Sequence, residues 1–302
     1  MMKKTAEIIK KAKEEGVVIP AFNIPYLPMM EPVIQAVADQ DSFALIETAQ
    51  IEWKKFESKG PKDVYEEFVK WENPDHVRLH LDHVPVIDEE QKRVDFLTII
   101  KEAIKLGYQS VMVDGSRLSL DENIETTRQV TELAHEAGIA CEAELGAVLG
   151  HEPGPLPPYE EIFKTGKGFT NVDEAERFVR ETGCDWLSVA IGNIHGAVSD
   201  ALRNQKKPAA RLNIEHLRKL SEATQIPLVL HGGSGVQREY VLEAIKNGIA
   251  KVNVGTEIRQ AYEKALKDTD KVSAAQEATY DSVTGLIKDY YNIAGIREKV
   301  LS

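Results

Sequence analysis

Eight short runs rich in strand-forming residues recur along this chain of 302 residues. They are VVIPAFN (17–23), FALIETA (43–49), VRLHLDH (77–83), SVMVDG (110–115), ACEAELG (140–146), WLSVAIG (186–192), PLVLHGG (227–233) and KVNVGTE (251–257). Between them lie segments such as EEQKRVDFLTIIKEAIKLG, LDENIETTRQVTELAHEAG, NVDEAERFVRETG and QREYVLEAIKNG, whose apolar residues return every three or four positions, the period of a helix. A strand followed by a helix, eight times over, predicts an α/β fold: a (β/α)8 TIM barrel in a single domain spanning 1–302. The competing open, doubly wound sheet is disfavoured by the lack of a GxGxxG after the first run and of any two-half organisation. Gly107, Gly138, Gly183 and Gly248 stand where helices end, and glycine is suited to the left-handed turn that closes one. Two stretches break the rhythm. Residues 147–170 form a connection rich in glycine and proline that reads as an active-face lid, and 258–302 read as C-terminal helices.

Composition removes several function classes. The formal charge of -12 and the absence of a long Lys/Arg block argue against nucleic acid as a partner. No stretch is apolar enough to span a membrane, and MMKKTAEIIKKAKEEG reads as an amphipathic helix stopped by Gly16 rather than a signal peptide. Cys141 and Cys184 sit in apolar settings without CxxC spacing, which predicts buried thiols in a reducing cytoplasm.

Polar and ionisable residues gather at the C-terminal ends of the runs: Asn23, Glu47, Asp82, Asp114, Glu144, His195, His231 and Asn253. A barrel brings such positions onto one catalytic face. A single histidine at a strand end more often satisfies a backbone group than binds a metal. His83, His195 and His231 in matching contexts reverse that reading, because three imidazoles hold a divalent metal while leaving a coordination position free. Such a metal serves as a Lewis acid or activates water, and the ligand set alone leaves both open. Asp82 is a candidate acid/base, although neighbouring strand residues point to opposite faces unless the strand end twists. The loops HGGSG (231–235) and NVGT (253–256) follow runs seven and eight, where barrels commonly hold phosphate on backbone amides and a helix N-terminus. Gly196 allows close backbone approach beside His195.

The motifs AFN, HLDH, SVMVDGSRLSLDENI, EAELG, AIGNIHG, LVLHGGSG and KVNVGTE, in that order from about Ala21 to about Leu266, resemble those of the class II, zinc-dependent ketose-bisphosphate aldolases, which include fructose- and tagatose-bisphosphate aldolases. The resemblance implies a lyase of carbohydrate metabolism, of the glycolytic kind, that cleaves a ketose 1-phosphate or 1,6-bisphosphate to dihydroxyacetone phosphate and an aldehyde. It implies zinc on His83, His195 and His231, Asp82 as the catalytic acid/base, and Glu152 as the lid carboxylate that exchanges the substrate's α-proton. Asn23, Gly196, Gly232, Ser234, Asn253 and Thr256 match substrate- and phosphate-holding positions. Asp114 and Glu144 match carboxylates that in some relatives visit a second metal position, divalent or monovalent, and Glu142 has a supporting place. Arg259 matches a position that reaches the distal phosphate across a subunit boundary, in a cytoplasmic homodimer or homotetramer. The chain departs from the family at Ala49, where relatives carry Ser or Thr, at Gly255, where fructose-type relatives commonly carry Asp, and in the longer lid. Glu47, Gln50, Trp53, Lys54 and Lys55 then build either a different recognition surface or an ordinary helix face. Alternatives are an aldolase for an acid-sugar ketose phosphate, a metal-dependent sugar epimerase, or a noncatalytic sugar-phosphate-binding protein.

Overall fold

In the computed structural model, which describes residues 3–146, 159–193, 210–233 and 236–302, eight parallel strands pair in chain order and the first closes on the last. They are β1 (Ile19–Asn23), β2 (Ala44–Ala49), β3 (Val77–Pro85), β4 (Ser110–Asp114), β5 (Ala140–Leu145), β6 (Trp186–Val189), β7 (Leu228–Leu230) and β8 (Ile249–Val254). This is the (β/α)8 barrel the alternation predicts. Its strands are buried on both faces, which is why they appear in sequence as short runs with little polar punctuation.

One boundary differs from the pattern. β8 starts at Ile249, two residues before the KVNVGTE run, because Gly248 (φ 115°) turns the chain at once and lets pairing with β7 begin at Leu228 and Ile249.

The surrounding helices are closed by local chemistry. The Ser119 side chain accepts from the Glu122 amide, with Glu122 bonding back, while Asn171 and Asn213 cap the helices Val172–Thr182 and Ile214–Thr224. Helices between the strands turn an apolar face to the sheet, as Ile100 and Ala103 do for Phe96–Leu106. Alternation along the strands then separates two cores. Ile46, Leu79, Leu81, Val111, Val113 and Val252 join the apolar layer under the helices. Their neighbours Glu47, His80, Glu142 and Lys251 meet one another inside the barrel.

The segment 147–170 is not a loop throughout. Its later part forms the helix Tyr159–Thr165, with Glu160 and Glu161 in the first turn and Lys164 in the last, as the helix dipole favours. Two anchors tie it down. The Tyr159 hydroxyl donates to the Arg211 carbonyl (2.8 Å), and Thr170 Oγ1 donates to the Leu145 carbonyl (2.6 Å) while accepting from the Ala190 amide (2.8 Å). Beyond β8 the helices Thr256–Thr269 and Val272–Gly285 follow, the second packing on Met30–Asp39. The last helix, Arg297–Leu301, lies against Thr5–Glu15. No helix among the described residues is long and apolar enough to cross a membrane.

Candidate active site

The site begins with an irregularity in β3. Between Leu81 and Val84 the strand advances three residues while β4 advances two, from Val111 to Val113, so Asp82 and His83 together face one partner position. His83 adopts φ 33°, a value few residues other than glycine take. A bulge of this kind bends a strand and re-aims its side chains. Its effect is to bring two consecutive side chains, Asp82 and His83, to one place, which regular alternation forbids. Ligand atoms of Asp82, His83 and His231 all lie within 4.8 Å of one another.

Asp82 is 2% exposed and held by two amides. Asn253 Nδ2 donates to its Oδ1 at 2.9 Å and Asn23 Nδ2 to its Oδ2 at 3.2 Å. Burial alone would push this carboxyl up, but the charges of His83, Lys251 and His231 outweigh it and hold Asp82 below the usual carboxylate range. The structure thus gives Asn23 and Asn253 contacts to Asp82, the candidate acid/base.

The two described histidines face each other, with rings 4.4 Å apart and steeply inclined. His231 Nδ1 lies 2.5 Å from His83 Nε2. The far nitrogen of each ring has its own acid: His231 Nε2 meets Glu142 Oε1 at 2.9 Å, and His83 Nδ1 meets Asp114 Oδ2 at 3.4 Å. With a cation bound, carboxylates at the far nitrogens would take the ring protons there and leave the near nitrogens as ligands. Converging imidazole lone pairs beside carboxylates are a donor set that fits a divalent metal. Asp114 and Glu144 form a second group around His83 with ligand atoms within 4.8 Å. Asp114 also accepts from the Ser116 amide and hydroxyl (2.9 and 2.6 Å). Burial and the charge of Asp114 push Glu144 up to about 8, while burial at Asp114 is outweighed by His83 and Ser116, which keep that carboxyl low.

Sequence reasoning missed what lies below. Lys251, fully buried, has its Nζ 2.9 Å from Glu142 Oε2, 3.3 Å from Glu47 Oε2 and 2.7 Å from Asn253 Oδ1. Trp186 Nε1 donates to Glu142 Oε2, and His80 Nε2 is 3.4 Å from the same atom. Burial would strip the Lys251 proton, yet Glu142, Glu47 and Asp82 keep it raised. Burial is likewise overcome at Glu142, which Lys251 and His231 hold low. Glu47 is therefore an interior residue and not part of a surface for recognising substrate, because its register on β2 points it under the site. The available signal was parity: Glu142 with Glu144 and Lys251 with Asn253 are spaced by two, on the face of the strand that carries the site.

At the rim, Gly232 (φ 66°) follows His231, and Gly233, Asn253, Gly255 and Thr256 line a small cavity with Tyr290 and Tyr291 at the N-terminus of Thr256–Thr269. Gln50 and Glu52 are buried in the short helix Gln50–Lys55, Trp53 packs on the core, and Lys54 pairs with Asp88 (3.4 Å), so this stretch is mainly an ordinary helix face. Arg259 pairs with Glu263 (2.7 Å) and lies 5.1 Å from the Phe56 ring centroid. Glu152, His195, Gly196 and Ser234 lie outside the described residues.

A parallel eight-stranded barrel carrying a carboxylate and converging imidazoles at its C-terminal mouth defines a class of metal-assisted barrel enzymes. Residues 3–299 match the family model of class-II fructose-bisphosphate aldolase. Fructose-bisphosphate aldolases of Streptococcus pneumoniae serotype 4 and Streptococcus pyogenes serotype M1 are each 33% identical over 279 residues, 91% of this chain and 86% of theirs. The crystal structure of the YdjI aldolase from Escherichia coli K12 superposes with TM-score 0.74 at 27% identity, covering 98% of this chain and 99% of that one. Fructose-bisphosphate aldolase from Campylobacter jejuni, at 20% identity and TM-score 0.72 over 96% and 94%, shares the fold. The chain belongs to the class-II fructose-bisphosphate aldolase family. It is an aldolase, a carbon–carbon lyase of a generally metal-dependent class.

Proposed function

We propose that the chain cleaves a ketose 1-phosphate or 1,6-bisphosphate reversibly into dihydroxyacetone phosphate and an aldehyde. The observation that carries this reading is Asp82, clamped by two amides directly beside the converging nitrogens of His83 and His231. Those histidines, with His195, would hold one zinc ion, and Asp114 with Glu144 would offer a second cation position. Zinc supplies Lewis acidity that polarises the substrate ketone. Asp82, bonded by its two amides and kept ionised by the surrounding positive charge, takes the C4 hydroxyl proton as the C3–C4 bond breaks. The bond's electron pair remains with C3 of the triose fragment, conjugated with the ketone, and Glu152 returns a proton to that carbon. Gly196, Gly232, Ser234 and Thr256 hold the C1 phosphate near the N-terminus of Thr256–Thr269, and Asn23 and Asn253 reach both Asp82 and the triose. Arg259 would meet a distal phosphate after leaving Glu263.

Within one domain, 147–170 would serve as the lid that keeps water from the intermediate. The buried free thiols Cys141 and Cys184 support a cytoplasmic setting, and the family expectation is a homo-oligomer.

A coupled assay for triose phosphate, run with zinc over a panel of ketose phosphates that includes fructose, tagatose and acid-sugar members, tests the reading. Triose release that disappears in Asp82→Ala with its metal bound is the expected result. Normal cleavage by that variant, or epimerisation without release, would overturn it.

A further inference from the structure

Lys251 is a fully buried cation beneath the site that the proposed reaction leaves unused. Its ammonium only donates, so its 2.7 Å bond to Asn253 Oδ1 decides which end of that amide faces which way. With Oδ1 turned to Lys251, Nδ2 points at Asp82 Oδ1, to which it donates at 2.9 Å. The reversed amide would set an oxygen against the Asp82 carboxylate. The same ammonium lies 2.9 Å from Glu142 Oε2, and an ionised Glu142 is an acceptor only. Glu142 Oε1 therefore takes the Nε2 proton of His231 at 2.9 Å and leaves the Nδ1 lone pair directed at His83 Nε2.

We propose that Lys251 is a positioning residue that sets two assignments at once, the orientation of the Asn253 amide on Asp82 and the tautomer His231 presents to a divalent cation. The proposal rests on the metal-dependent reading above. The plainer role is a counter-ion for two buried acids. Beyond pairing with Glu142 and Glu47, the ammonium bonds a neutral amide oxygen, Asn253 Oδ1, at 2.7 Å, a contact that charge balance does not require.

The test compares the full chain with Lys251→Met and with the charge-balanced Lys251→Met/Glu142→Gln, each checked for its fold by circular dichroism. Zinc is titrated into the metal-free proteins, and kcat and KM are measured with the ketose phosphate that wild type cleaves. Lys251→Met should bind zinc at least roughly tenfold more weakly, as loss of outer partners of a metal ligand does, with kcat falling at least about tenfold and KM changing little. If the single variant does not fold, the double variant decides: its kcat should lie at least about tenfold below that of Glu142→Gln alone, because the Asn253 amide is no longer oriented. Wild-type zinc affinity and kcat in Lys251→Met, or a double variant equal to Glu142→Gln, overturns the proposal. Wild-type chain that takes up no zinc instead sinks the metal-dependent reading, and this inference with it.

Discussion

The two amides on Asp82 make a graded prediction. Asn253→Ala removes a 2.9 Å N–H donor from a buried carboxylate. A hydrogen bond to a charged group contributes about 1.5–3 kcal/mol, and 1.36 kcal/mol is tenfold in an acid constant, so Asp82 should become roughly tenfold to a hundredfold easier to protonate. The direction follows from its role. In the proposed reaction Asp82 works ionised, and its surroundings hold it low, so activity should be lost as pH falls through its pKa. Weakening its support moves that loss to higher pH, leaving the alkaline limb in place. Asn23→Ala removes a longer contact, 3.2 Å, and should move the acid limb in the same direction by less. The assay is kcat/KM for cleavage from about pH 5 to about 9 at saturating zinc, read by triose release. An acid limb that stays in place in Asn253→Ala, or that moves further in Asn23→Ala, would refute the clamp.

Burial pushes Glu52 up to about 8, so the folded chain binds its proton more tightly than the unfolded chain, and the stability this contributes is lost as pH rises toward 8, by at most about 1.4 kcal/mol per pH unit. Glu52→Gln keeps an acceptor for the Ala49 amide and should flatten the pH dependence of the melting temperature between about pH 5 and 8, whereas parallel curves would contradict it. At Gly255 an added Cβ would lie 3.1 Å from Asn23 Oδ1, so Gly255→Asp should lower kcat/KM about tenfold by displacing Asn23, and strictly additive losses with Asn23→Ala would disprove the contact. Gly146 has φ 95°, and a Cβ there would lie 2.6 Å from Thr170 Oγ1 and 3.1 Å from its backbone, so Gly146→Ala should cost about 1–3 kcal/mol in urea unfolding. An unchanged urea midpoint would count against that reading.

The barrel was legible because its strands are buried on both faces and separated by helical periods, a pattern that needs no tertiary knowledge. Asp82, His83 and His231 were legible because strand ends converge in a barrel. The Lys251 network was not, since a lysine opening KVNVGTE looks like a solvated flank, and only its parity with Asn253 signalled an interior place. The bulge in β3 was invisible for a different reason: alternation names the face of each residue but cannot show where the count is interrupted. The C-terminal half of 147–170 hid its helix behind glycines and prolines on either side of Tyr159–Thr165.

The extra residue in β3 acts like a frameshift in the strand's two-letter reading of inside and outside. Upstream of it, His80 and Asp82 are read inward; after it, His83 is inward and Val84 returns to the apolar layer. Transplanting the tetrapeptide HLDH into an unbulged strand of another barrel would therefore lose one of its two chemical groups to the helix side. A one-residue deletion at 82 or 83 would leave a smoother sheet with only one of the two groups left to serve the site. What such a barrel must preserve in evolution is the miscount as well as the letters.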